Sequence, residues 1–200
     1  GNPTHDQVRI YRWLPDGGHL LIGQAPFDAG PQGNAKFGAA VALGRVYPPT
    51  DLTVGPQLIV GAPGVERVFV YRASKSIQAL ELKLELELVM ELSSPEQDGG
   101  SGGDDGFGHS LAVEPWPVAG GLHSFWVGDP QRAQVHRFIG DAGLSFRHDE
   151  PDSFFGYSLA VEFPPDRMAQ PKLVLGAPRH YAPAGTYRAG AVYELTPPAV

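Results

Sequence analysis

Apolar residues along this chain fall in short alternating runs separated by glycine and proline. Three runs share one motif: AKFGAAVAL (35–43), DDGFGHSLAV (104–113) and SFFGYSLAV (153–161). Each leads to a second run that closes on a glycine turn: QLIVGAP, SFWVGDP and KLVLGAP. Their glycines, Gly61, Gly128 and Gly176, lie 24, 21 and 21 residues beyond Phe37, Phe107 and Phe155. An aromatic-rich third run follows each time, RVFVYR (67–72), QVHRF (134–138) and GAVYEL (190–195), and QVRIYRW (7–13) opens the chain in the same style. A fourth run precedes the next motif or its equivalent: HLLIG (19–23), LELELVMEL (84–92) and LSFRH (144–148). Period-2 alternation of Val, Ile, Leu, Phe and Tyr between turn residues predicts strands.

Four strands per repeat, with Phe107 and Phe155 separated by 48 residues, predict the blades of a β-propeller. The 70 residues between Phe37 and Phe107 leave a surplus, which falls at 73–92. There Leu80, Leu82, Leu84, Leu86 and Leu88 alternate with Glu and Lys. A helix would scatter such a pattern over every side, so a long half-exposed strand pair is predicted. The expected class is all-β, with units at about 7–66, 67–133 and 134–189 and a final strand at 190–195. Three units and a strand fall short of the four to eight blades that close a ring. The expectation is an incomplete or partial ring: a fragment, part of a ring finished by another polypeptide, or a subunit whose open edges pair with other chains.

Composition narrows the classes. Gly 26 and Pro 20 among 200 residues suit a protein of many turns. A net charge of -7 disfavours nucleic acid as partner, because no basic stripe exists to displace counterions from phosphates. No apolar run is long enough to span a bilayer as a helix, so no membrane insertion is expected of this segment. GNPTHDQ is not a signal peptide and reads as a trimmed or proteolytic end. With Cys 0, disulfides and thiolate metal sites are excluded.

The succession of Phe-Gly, Gly-Ala-Pro and GAVYEL resembles the FG-GAP repeat of integrin alpha-subunit β-propellers, over nearly the whole chain. The resemblance implies that Phe-Gly opens the innermost strand of a blade and that Gly-Ala-Pro closes the second. It also implies an extracellular or cell-surface module engaging protein partners, and calcium held in loops of Asp-x-Asp-x-Asp-Gly type. Here the equivalent loops, 44–56, 114–123 and 162–171, have at most two acids each and lack the alternation. No cofactor is therefore assigned, and calcium stays a candidate without its pattern.

Two acidic loops remain as candidate metal or partner contacts. EQDGGSGGDDG (96–106) carries Asp98, Asp104 and Asp105 and reads first as a solvated crossing, second as a calcium or basic-partner contact. RHDEPD (147–152) groups His148, Asp149, Glu150 and Asp152; it reads as a capped turn, with metal binding as the alternative. Antiparallel order puts these loops on one face with 25–36 and 178–190. The last brings Arg179, His180, Tyr181, Tyr187 and Arg188, residue types enriched where proteins bind partners. Nucleophile-elbow, zincin and phosphate-loop motifs are absent, so no catalytic residue and no enzyme activity is predicted.

The leading expectation is a non-catalytic interaction or adhesion module. A structural subunit pairing through open blade edges is the first alternative, and an accessory domain of a hydrolase or a lectin the second. Lectin character would need tryptophans recurring at equivalent positions, which Trp13, Trp116 and Trp126 do not.

Overall fold

A computed structural model describes residues 7–27, 34–46, 55–78, 81–95, 106–117, 121–162, 171–181 and 188–197, apart from the side chains of 76–78, 81 and 82. These residues form an all-β chain of four antiparallel sheets, none closed on itself. The first is a hairpin of β1 (Val8–Trp13) and β2 (His19–Ala25). The second is a meander of β3 (Ala40–Gly44), β4 (Gln57–Ala62), β5 (Arg67–Gln78) and β6 (Glu81–Ser93). The third repeats that order with β7 (Ser110–Pro117), β8 (His123–Asp129), β9 (Gln134–Ile139) and β10 (Ala142–Arg147). The fourth holds β11 (Ser158–Glu162), β12 (Lys172–Ala177) and β13 (Ala191–Leu195). No helix among them is long and apolar enough to cross a membrane.

The Leu/Glu surplus is the outer half of the β5–β6 ribbon, paired from Arg67↔Ser93 out to Gln78↔Glu81. Gly23 of β2 lies against Leu84 of β6, so the ribbon backs the first hairpin. Strand is favoured over helix here because a two-residue period gives the ribbon one face toward β2 and another toward water.

Three apolar clusters join the sheets in chain order. Val8, Ile10 and Ala25 meet Leu58, Val60, Phe69 and Tyr71. Ile59, Val68 and Val70, on the other face of the second sheet, meet Phe107, Phe125, Val127 and Phe138. Trp126 and Val135 of the third sheet meet Phe155, Leu173, Leu175 and Ala177 of the fourth. Successive residues of β4 and β8 therefore serve two different interfaces, and both strands are buried almost end to end. That is why QLIV and SFWV read as unbroken apolar runs, as strands covered on both faces do. By contrast β12 alternates between buried and half-buried positions, because the described residues cover only one face of the fourth sheet.

The Phe-Gly pairs sit just ahead of β3, β7 and β11, in the turn before each strand rather than in its first residues. The reason is backbone conformation: Gly38, Gly108 and Gly156 have φ of 91°, 95° and 90°. Extended strand residues do not take that conformation, which glycine adopts without a Cβ penalty. The turn aims the glycine N–H at a carbonyl of the neighbouring second strand. Gly38 donates to Gly61 (2.9 Å), Gly108 to Gly128 (3.1 Å) and Gly156 to Gly176 (3.1 Å). Phe37, Phe107 and Phe155 meanwhile turn into the three clusters between sheets, where truncation to alanine costs about 3–5 kcal/mol.

Candidate functional site

The chain brings the 147–152 loop and the loop after β12 together through backbone hydrogen bonds. At the end of β10, the His148 N–H donates to the Ala133 carbonyl (2.9 Å). Pro151–Ser153 then forms a 3-10 turn, a natural place for proline because the first N–H there needs no partner. The Arg179 N–H donates to the Ser153 carbonyl (3.0 Å), which docks the start of the second loop on that turn. His180 closes its own loop: its N–H donates to Ala177, and its carbonyl accepts from Ala189 and Gly190. Tyr181 and Arg188 form the bridge across the loop's neck.

Within this frame His148, Glu150 and His180 present ligand atoms that all lie within 4.8 Å of one another. Glu150 is the hub. Its Oε1 accepts the Tyr181 N–H (3.2 Å), and its Oε2 lies 2.5 Å from His180 Nδ1. Among the described residues no hydrogen-bond donor meets Glu150 Oε2, which is buried. The Glu150 N–H reaches back to His148 Nδ1 (3.1 Å). Tyr193, on β13, places its hydroxyl 3.0 Å from His180 Nδ1. Burial first, and the charge of Glu150 second, raise the Tyr193 pKa above its ordinary value, so the phenol stays protonated at neutral pH. Rings wall the inner side: His148 stacks on Phe155 and meets Tyr193 and His180 edge to face.

The other sequence-predicted residues surround this cluster or lie elsewhere. Asp149 and Asp152 are exposed beside it; the acid that turns inward is Glu150. Arg179 lies over the Phe154 ring at 3.8 Å. Arg188 lies over the Tyr181 ring at 5.4 Å, and its pKa is raised, first by the hydrogen bond to the Tyr181 hydroxyl. Asp98, Asp104, Asp105 and Tyr187 fall outside the described residues. His180 and His148 are 32 positions apart, and the one signal joining them was the shared end of the antiparallel strands.

Calcium does not fit what the described residues offer. Two imidazoles and one carboxylate lack the six to eight hard oxygens calcium takes. In the loops 44–56, 114–123 and 162–171, the described acids are Glu114 and Glu162. Glu114 is buried and bonded to Arg137 and Trp126. Glu162 is exposed at the end of β11, on a different sheet. One buried, paired acid and one lone exposed acid do not make a calcium cage.

An open cleft of about 530 Å³ between the first hairpin and the second sheet is lined by Phe27, Phe69, Tyr71, Arg67 and Glu91 among others. Its two charged groups are spent on each other in the Arg67–Glu91 pair. Comparison with known proteins adds no name: no protein-family model matches the chain, and no curated protein matches it.

Proposed function

We propose that the chain is an arc of an FG-GAP β-propeller, working outside the cell or at its surface as a non-catalytic protein-interaction or adhesion module. One observation carries this reading: a glycine contact repeated from sheet to sheet. A Cβ on Gly61 would lie 1.9 Å from the Gly108 carbonyl oxygen, and one on Gly128 would lie 2.2 Å from that of Gly156. Like sheets nested by one recurring contact are what radial packing requires, with each Phe-Gly turn seated on the glycine of the sheet before it. Gly176 occupies the next place in that series. Around it the outer face of the fourth sheet carries Ala160, Val174 and Val192, the register equivalents of Ala112, Trp126 and Val135 in the third sheet. Further blades, from the same propeller or another subunit, cover that face in this reading.

Partner recognition belongs to the loop face carrying Arg179, His180, Tyr181 and Arg188; Tyr187, Asp98, Asp104 and Asp105 are assigned to it from the sequence alone. Cation–aromatic pairs such as Arg188 with Tyr181 arrive preassembled, which lowers the ordering cost of binding. The test uses beads coated with the full chain and intact cells of the source organism. A Tyr181→Ala/Arg188→Ala variant with unchanged circular dichroism should bind roughly tenfold more weakly, the scale of a hot spot. Undiminished binding would remove the loop face from the proposal.

A structural subunit is the second reading, favoured by Val192, which is 77% exposed on a sheet face. It expects concentration-dependent association in sedimentation velocity, abolished by Val192→Lys. A chain that stays monomeric throughout argues for the adhesion reading instead.

A further inference from the structure

We infer that His148, Glu150 and His180 form a binding site for a divalent transition-metal ion of the zinc class. The inference goes beyond the interaction module and does not depend on it.

The donor set selects the metal. Two imidazole nitrogens and one carboxylate oxygen suit zinc and its neighbours, whereas calcium and magnesium prefer oxygen alone. Three protein ligands also leave room for a fourth, as zinc sites open to water do. The three residues come from two chain segments held in place by the backbone hydrogen bonds that Arg179 donates to Ser153 and His180 to Ala177. Their spacing is therefore set by the fold and not by free side chains.

The close approach of Glu150 Oε2 to His180 Nδ1 is the second observation. These two atoms lie 2.5 Å apart, and among the described residues no hydrogen-bond donor meets Glu150 Oε2. Ligands of one zinc ion at bond lengths of about 2.0 Å stand about 3.3 Å apart at the tetrahedral angle, so the two side chains part slightly as they bind. With a metal, both atoms become ligands and the buried Glu150 oxygen gains its missing partner. His148 and the Tyr193 hydroxyl border the same point. His148 Nδ1 already accepts the Glu150 N–H, so Nε2 is the nitrogen His148 has to offer an ion. The Tyr193 hydroxyl meets that same His180 Nδ1 at 3.0 Å, so it yields this contact when the nitrogen takes an ion.

The consequence is local. An ion here ties the crossing between the third and fourth sheets to the His180 loop, and so fixes the neck formed by Tyr181 and Arg188.

The experiment titrates the full chain, stripped with a chelator, with Zn²⁺ against a chromogenic competitor, and with Ca²⁺ in parallel. The expected result is one Zn²⁺ per chain, no comparable Ca²⁺ binding, and Co²⁺ spectra of a four- or five-coordinate site. Glu150→Gln and His180→Ala should each weaken Zn²⁺ binding by more than roughly tenfold. Asp149→Asn should leave it unchanged. Circular dichroism of each variant separates lost ligands from lost fold, and a rise in thermal midpoint with Zn²⁺ in the parent alone supplies a readout independent of the dye. Absent binding, binding that survives the combined His148→Ala/His180→Ala variant in folded protein, or preference for Ca²⁺ overturns the inference.

Discussion

The carbonyl oxygen of Gly108 occupies the space a side chain on Gly61 would need, 1.9 Å from the ideal Cβ position. The contact joins the end of β4 in the second sheet to the turn that opens the third. Gly128 and Gly156 repeat it one sheet further on, where the Ser110 hydroxyl also donates to the Gly156 carbonyl (2.7 Å).

Alanine at Gly61 or Gly128 is expected to destabilise the chain by about 3 kcal/mol or more, because backbone on both sides has to give. Gly176→Ala is the matched control. Its Cβ would meet only the Ser158 hydroxyl, at 2.5 Å, which can rotate away. Urea unfolding should show that variant within about 1 kcal/mol of the parent. Equal losses at all three positions would mean that intrinsic strand preference, and not the contact between sheets, sets the requirement for glycine.

Glu114 and Arg137 form a buried pair on the third sheet, with Arg137 Nε 2.8 Å from Glu114 Oε1 and Arg137 Nη2 2.8 Å from Oε2. The Trp126 indole N–H donates to the same carboxylate at 2.9 Å. Removing one partner strands the other's charge, so Glu114→Met or Arg137→Met alone should cost about 3–5 kcal/mol. The double change Glu114→Met/Arg137→Met should recover most of that loss, since neither charge remains to be desolvated. Thermal and urea unfolding of the three variants form a double-mutant cycle, and additive losses would contradict the pairing.

Tyr71 is fully buried and donates its hydroxyl to the Pro26 carbonyl at 2.8 Å. Burial pushes its pKa above a tyrosine's ordinary value near 10. The unfolded state therefore loses this proton at a lower pH than the folded state. Stability from this group is complete below pH 10 and declines as pH rises above it. Tyr71→Phe should cost about 1 kcal/mol at pH 8, through the lost hydrogen bond, and should flatten the decline between pH 9 and 11. Chemical unfolding across that range provides the check; an unchanged slope in the variant would exclude Tyr71 as its source.

Much of the strand architecture was legible because strands write themselves into sequence locally. The alternation in RVFVYR and LELELVMEL is the face pattern of β5 and β6, and the proline after each strand-closing glycine pair starts the turn that follows. The site was less legible. The histidine of RHDEPD could be read as a ligand, yet its partners depend on which acid turns inward and on a second loop 32 positions downstream. Asp149 is as good a ligand as Glu150 on paper. The 3-10 turn at Pro151–Ser153 and the Tyr181 N–H select Glu150 instead.

By itself the sequence determined the all-β class, the order of the runs and the long ribbon, since side-chain periodicity and turn chemistry act over a few residues. Only the tertiary structure decided that Phe-Gly stands in a turn ahead of its strand, that Glu114 is spent on Arg137, and that Glu150 stands between two histidines. Those outcomes depend on distances between segments remote in the chain, set by how sheets nest on their glycines, and no local period encodes such a distance.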